Sequence, residues 1–528
     1  MSESTNVQAG TSAGSTSLGG LAQAALITAA MTSAINLGAA NIALVEIGRA
    51  MDASSYDLTL IGACASVGMG SAVLYFGRLS QSIGRARVIQ IGLVLSIVLS
   101  VASAAAPGPY WLAATRLGIG FCCALVYPST LAVIAADTSG AARNRAIGRW
   151  FGFSIGAAAL GPVVGGLLLS AYWWGAAFLV SLPVAMLALL FSIQLPRSAG
   201  EDHAPVDHLD GVGLMMGVLL LSGVLSSGGT SSHPVLVALA FAAAATILFF
   251  AVRRQAVGPH PLFDFRVARR PTFWPAATAG SVTVGSMLAA FFVGQQYMQH
   301  TLGYTTAMAG LAILPTGLAI LVVSPRAAKA QASRGTRSML LLGIAIVMLG
   351  LASMLMWTPE RGYLPVGLTY LALGVAVGIV GPTVSRALMA SVSGEEIAMG
   401  SATSDLQACI GGALLIPIFG STLATAYQHA FETGILAAAP ESIANLSMET
   451  LAASRASLTG AETAAARLSL APDAPHLQIA SQAFVAAVHW SIGAGLVALA
   501  VCAALVALVT PDRRTQRSLE AIYSAGRA

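Results

Sequence analysis

Apolar stretches long enough to cross a bilayer follow one another along almost the whole of this chain. That succession constrains the fold more than any single residue does. A helix needs about 20 apolar residues to span the hydrocarbon of a membrane. From Leu21 onward such stretches fall at 22–46, 58–78, 87–105, 110–136, 147–170, 175–195, 211–228, 234–252, 272–298, 306–325, 338–357, 364–390, 400–424 and 483–509. The reading is an all-α polytopic membrane protein with fourteen transmembrane helices. Charged residues make up 9% of the 528 and hydrophobic ones 56%, against about 25% charged in a soluble domain. This balance excludes a soluble protein, a disordered chain, a collagen-like one and a disulfide scaffold. The five cysteines, Cys64, Cys122, Cys123, Cys409 and Cys502, lie in apolar runs without a C-x-x-C and read as buried thiols.

Charge orients the spans, because Lys and Arg accumulate in cytoplasmic loops. The first twenty residues carry no Lys or Arg and read as a disordered tail, since a signal peptide needs a basic start. With the N-terminus inside, the inner joints and span ends hold twenty of the 26 basic residues. The outer joints hold Arg49, Arg361, Arg455 and Arg467, while Arg116 and Arg386 lie within spans. Both termini are therefore expected in the cytoplasm, and the net charge of +5 needs no acidic or nucleic-acid partner. The seven tryptophans fall near span ends, where an indole can have one apolar and one wet side. Residues 425–482 read as a long outer connector of helix-like composition, and 196–210 and 253–271 as inner ones.

Several local patterns carry more than hydropathy. The joint between spans two and three reads Gly77-Arg78-Leu79-Ser80-Gln81-Ser82-Ile83-Gly84-Arg85-Ala86-Arg87. Glycines there let two helix ends meet in a tight turn, and the arginines can pair with helix C-termini and carboxylates. Span four contains Leu112-x-x-x-Arg116-x-x-x-Gly120, and span five Gly161-Pro162-Val163-Val164-Gly165-Gly166. Pro162 frees a backbone carbonyl while the glycines permit close helix contact. After them come Trp173-Trp174 with Phe178 to Pro183, Asn41-Ile42-Ala43-Leu44 in span one, and Gln299 to Tyr304 with Ala309-Gly310 and Leu314-Pro315. Together these runs resemble the major facilitator superfamily, and within it the fourteen-span drug:proton antiporters, over nearly all of residues 25–510.

That resemblance implies two six-helix bundles, 22–195 and 272–510, joined by a linker at 196–271 that carries two inserted helices. The cytoplasmic tails would be 1–21 and 511–528, and the outer loop 425–482 would belong to the second bundle. Weak internal symmetry fits: Pro325-Arg326-x-x-Lys329 through Arg337 echoes the first basic turn, with Gly335 lying 251 residues after Gly84. The family places an Asp where Gln81 stands, and its fourteen-span branch places an Asp where Asn36 stands. Both departures remove a carboxylate, which weakens the expectation of proton antiport but leaves the expected fold intact.

An ionisable residue inside a span is costly and so a functional candidate. Arg116 lies deep in span four, with substrate contact and a buried structural bond as its two readings. Asp405 lies five residues inside span thirteen and is one candidate coupling acid; Glu46, at the outer end of span one, is the other. Thr28, Thr32 and Asn36 share a face of span one, with Asn41 near its outer end, and Gln295, Gln296 and Gln299 cluster in span nine beside His300. These are the candidate cavity residues. Gly77, Gln81, Gly84 and Arg85, with Gly161, Pro162, Gly165 and Gly166, are the candidate conformational elements. The function expected is efflux of amphiphilic small molecules from the cell across its inner (plasma) membrane by alternating access, with protons as the candidate coupling ion and no cofactor or metal. A facilitator or importer of a polar metabolite, and a non-transporting sensor or scaffold, are the alternatives. No H-E-x-x-H, G-x-S-x-G or P-loop is present, so the chain is not expected to be an enzyme.

Overall fold

Twelve of the fourteen expected spans form helices long enough to cross a bilayer without a break in their regular turn. The computed structural model describes residues 18–138, 140–195, 206–227, 234–258, 273–389, 397–437, 447–468 and 474–510. Most of the tail 1–21, the greater part of both inner connectors and the tail 511–528 lie outside them. The first bundle comprises α1 (Gly20–Met51), α2 (Ser55–Ile83), α3 (Arg85–Ala104), α4 (Pro109–Asp137), α5 (Gly140–Ala171), α6 (Ala176–Leu179) and α7 (Leu182–Ser192). The inserted pair is α8 (His208–Ser227) and α9 (Pro234–Val257). The second bundle comprises α10 (Phe273–His300), α11 (Thr306–Leu311), α12 (Leu314–Arg334), α13 (Thr336–Ser353), α14 (Tyr363–Met389), α15 (Ile397–Ala437) and α18 (Pro475–Val509). Between α15 and α18, two short helices, α16 (Met448–Ala456) and α17 (Leu458–Arg467), form a hairpin.

Among the described residues thirteen helices have the length and hydropathy of a span, and the fourteenth, 176–192, is shorter. Its break at Val180-Ser181 precedes Pro183, and the break between α11 and α12 precedes Pro315. In each case the proline opens the second piece, where its missing N–H is no loss. Fourteen traversals leave the start of α1 and the end of α18 at one end of the molecule, the end of the two basic turns, with the α16–α17 hairpin at the other.

The two basic turns are built alike. Gly84 (φ 106°) closes α2 and opens α3, and Gly335 (φ 82°) closes α12 and opens α13. Left-handed φ is open to glycine at no steric cost. Arg85 donates to the carbonyl of Ala132 at 3.3 Å, and Gln331 to that of Thr383 at 3.4 Å. Those two carbonyls are themselves 251 residues apart, the same interval as the two glycines. The repeat therefore extends from the turns to the register of the helices they brace.

The insert packs by α8 against α2 and α15, so it borders both bundles. Ser222 donates to the Ala413 carbonyl at 3.1 Å, and the Tyr75 hydroxyl lies 2.8 Å from His208 Nδ1. Arg254 clasps α9 to the start of α8 through Asp207 at 3.0 Å and Asp210 at 2.7 Å. Two tryptophans depart from the interfacial expectation. Trp150 and Trp357 are fully buried and donate to Thr130 (2.9 Å) and Thr369 (3.2 Å), because a buried indole N–H needs an acceptor.

The connector expected at 425–482 is mostly helix. α15 continues to Ala437, α18 begins at Pro475, and the hairpin fills part of the interval. Ser447 and Ser457 cap its two helices, accepting from the Thr450 and Gly460 amides. A loop rich in Ala, Ser and Thr has the caps and propensity to fold once it has a surface to pack on.

Candidate functional site

The bundles meet along a seam that runs from the hairpin end to mid-height, and small residues make the approach possible. A side-chain carbon added at Gly166 would sit 2.4 Å from the Thr306 carbonyl oxygen, and one at Gly310 would sit 2.5 Å from that of Pro162. Here α5 of the first bundle touches α11 of the second backbone to backbone. On the opposite flank, a carbon at Gly420 would lie 2.4 Å from Thr59, and one at Gly70 would lie 3.2 Å from Cys409. Thr306 donates to the Gly166 carbonyl at 3.4 Å, and Gln299 to that of Ile42 at 3.2 Å. Dispersion and a few hydrogen bonds hold such a joint, which suits surfaces that must separate and re-form.

The span-five element divides its work between neighbours. Gly161 and Gly165 face α1 at Ile35 and Ile42, Pro162 rests near Gly38, and Gly166 faces the second bundle. Gly77 has open space around it, while Gln81 accepts from Arg78 at 2.9 Å. The amide at position 81 thus holds the neighbouring arginine as an ordinary hydrogen bond and not as an ion pair.

Arg116 is fully buried on α4. It donates to the backbone carbonyl of Asn36 at 2.6 Å, and its guanidinium carbon lies 5.7 Å from the Phe178 ring centroid. Its Nε and Nη2 have no hydrogen-bond partner among the described residues. The Asn36 amide donates to Ser96 on α3 at 2.9 Å, and the Thr32 hydroxyl turns back to the Thr28 carbonyl at 2.9 Å. Arg116 and Asn36 are thus brought together, as a clasp across α1, α3 and α4. Asn41 is buried beside Gly62, next to Phe292 of the second bundle.

Of the glutamines of α10, Gln299 crosses the seam to α1, and the other two bond within the second bundle. Gln295 donates to the Ala309 carbonyl at 2.9 Å and leaves its own carbonyl oxygen buried without a partner among the described residues. Gln296 bonds within its helix to Phe292 at 3.1 Å. Of the two candidate coupling acids, Glu46 lies on the surface, its side chain 41% exposed and 3.4 Å from Arg49. Asp405 belongs to α15, and its side chain falls outside the described residues.

The residues that sequence reasoning passed over sit in the hairpin. Glu462 on α17 reaches Arg49 at 3.1 Å and His300 at 2.8 Å, and Thr459 lies 3.2 Å from the other ring nitrogen of His300. Nearby, Ser55 donates to the Ala456 carbonyl at 3.0 Å, and Tyr427 to that of Ser454 at 2.7 Å. Hydropathy carries no trace of this, but Arg49 and His300 are 251 residues apart, the interval already visible between Gly84 and Gly335.

Comparison with known proteins agrees with this geometry. The family model described as Major Facilitator Superfamily matches residues 26–416. The multidrug efflux pump LfrA of Mycolicibacterium smegmatis is 26% identical over 84% of this chain and 85% of its own length. The multidrug resistance protein Stp of Mycobacterium tuberculosis is 27% identical over 76% and 75%. The methyl viologen resistance protein SmvA of Salmonella typhimurium is 26% identical over 73% and 79%. Among solved structures, a bacterial homologue of the human lysosomal transporter Spinster, in an inward-facing and occupied conformation, superposes with TM-score 0.59 at 17% identity, over 92% of this chain and 96% of its own. The peptide transporter POT in complex with sulfate gives 0.61 at 14%, over 93% and 96%.

Proposed function

The chain belongs to the major facilitator superfamily, and from that premise we infer that it exports amphiphilic small molecules by alternating access between its two bundles. The observation that carries this reading is the seam. At the hairpin end the two bundles share an apolar core and touch through glycine-lined helix contacts under the ion-paired hairpin, with repeat-related basic turns at the other end. A sensor or scaffold has no need of such a separable joint. The names of the relatives, multidrug efflux and resistance proteins, support export over import.

In this reading the basic end faces the cytoplasm and the hairpin faces outward. Whole-cell labelling with an impermeant thiol reagent is expected to modify a cysteine placed at Ser457 only when the hairpin is loosened, since Ser457 is buried; a cysteine at the exposed Leu468 should react directly. A cysteine at Ser518 should be spared in intact cells. Reaction at Ser518 and sparing of Leu468 would reverse the topology.

The cavity is expected to prefer neutral or anionic amphiphiles to dications. Among the described residues no carboxylate lies at mid-span, and Arg116 is the deep charge. Asp405 remains the candidate for proton coupling, because its place in the sequence of a span is where a carboxyl can be brought into a useful range. In reconstituted vesicles with an imposed pH gradient, Asp405→Asn should abolish gradient-driven uptake while leaving downhill flux. If Asp405→Asn and Glu46→Gln both transport normally and the wild type ignores the gradient, the protein is a facilitator.

A further inference from the structure

Glu462 occupies a singular place in the repeat. Its carboxylate oxygens divide between Arg49 Nη2 (3.1 Å) near the C-terminus of α1 and His300 Nδ1 (2.8 Å) at that of α10. These helices open the first and second bundles, and the two partners stand at equivalent repeat positions. A single carboxylate, borne by neither bundle's spans, is therefore shared between the matching tips of both.

The hairpin around it is stitched to both sides in the same manner. To the first bundle run Ser55 to the Ala456 carbonyl, Arg467 to Asp52, and the close approach of Thr459 to Gly48. To the second run Tyr427 to the Ser454 carbonyl and Arg455 to Glu432. The His300 side chain is 1% exposed and Glu462's is 27% exposed, so the bridge is shielded more than an ordinary surface pair. Burial alone would push the Glu462 carboxyl up. The hydrogen bond and charge of His300, with the Arg49 guanidinium, outweigh it and hold the carboxyl below the usual carboxylate range.

We propose that Glu462 is the positioning residue of an outer latch, holding the tips of α1 and α10 together while the seam is closed and releasing one of them when the bundles part. The proposal rests on the alternating-access reading, since a rocking motion that opens the hairpin end must draw Arg49 and His300 apart. One carboxylate of fixed length cannot follow both. The neighbours that face the bridge are Arg49 from α1, itself paired with Glu46 at 3.4 Å, the Tyr427 phenol from α15, and Thr459 and Phe484 beside the His300 ring. Because the carboxyl is held low, Glu462 stays ionised down through the usual carboxylate range, and its side of the contact is lost only as pH falls through and below that range.

The test is a cysteine at Thr306, buried in the seam against Gly166, reacted in the full-length protein with an impermeant maleimide from the outer side. Glu462→Gln should speed labelling about three- to five-fold, the effect of one partly exposed ion pair, and Glu462→Lys should speed it further by placing a cation between the two partners. Glu462→Asp should restore much of the slow rate. Glu462→Gln combined with Arg49→Gln should label no faster than Glu462→Gln alone. Gly166→Leu provides an independent opening of the same reporter. If Gly166→Leu labels and Glu462→Gln matches the wild type, or if the two latch substitutions simply add, the latch is overturned while the transport reading stands. If no variant labels, the seam does not open and the alternating-access reading falls with it.

Discussion

Gly166→Leu is expected to reduce transport about 100-fold while the protein still folds and binds its ligand. A first side-chain carbon already meets the Thr306 carbonyl at 2.4 Å and the Ala307 Cα at 3.0 Å, so an isobutyl group has nowhere to go while the seam is shut. Overpacking of this kind costs about 3 kcal/mol at its upper range, and each 1.4 kcal/mol lowers a population ratio about tenfold. The substitution acts on one state only. The obstruction is between bundles, and it vanishes when they part. Gly165→Leu should behave differently, because its nearest neighbour is Ile42 within the same bundle, at 3.4 Å. Gly120→Leu is the destructive control: its added carbon would meet the Ala65 carbonyl of α2 at 2.3 Å, and the first bundle should fail to assemble. Efflux rate, ligand affinity in detergent and protein yield, measured on all three, separate the cases. Lost affinity in folded Gly166→Leu would place this element in the binding site instead.

Arg116→Met should abolish transport and raise thermal stability. A buried cation with two donor nitrogens unpaired among the described residues is expensive to fold, and methionine fills similar space without a charge. If Arg116 were an ordinary structural clasp, losing its 2.6 Å bond to the Asn36 carbonyl would lower stability instead. A residue whose removal stabilises the protein and silences it is held for function. Arg116→Lys keeps the charge but lacks the planar fork, and activity should recover partially at best. Melting curves and efflux assays decide together, and full activity in Arg116→Ala or Arg116→Met would end the assignment.

How legible was this in the sequence? The spans were, because the bilayer imposes a length and a polarity that few other environments do, and even the Gly/Ser-rich stretch at 211–228 is a helix, His208–Ser227. The breaks before Pro183 and Pro315 needed the chain's local geometry, since hydropathy averages over them. Gly84 and Gly335 announced themselves because their backbone requires glycine. Gly166 was visible as part of a motif, but its partner Thr306 was not, since nothing in a sequence says which helix a glycine faces. Asn36 read as a cavity residue because it shares a face of span one with Thr28 and Thr32; that its amide ties α1 to Ser96 of α3 was not legible there. The hairpin was hidden most deeply. Glu462 is one acid in an alanine-rich connector, and only the pairing of Arg49 with His300 gives it meaning.

Alternating access requires the two ends of the seam to open in turn. Distances between spin labels measure this directly. One pair would join Tyr172 to Leu364, exposed at the hairpin end of the first and second bundles. The other would join Arg87 to Ser333, exposed at the basic end. Across conditions that drive the transport cycle, reciprocal change is expected: as the hairpin-end distance lengthens the basic-end distance shortens, and Gly166→Leu holds the hairpin end long. Two distances that stay fixed, or that lengthen and shorten together, would contradict it.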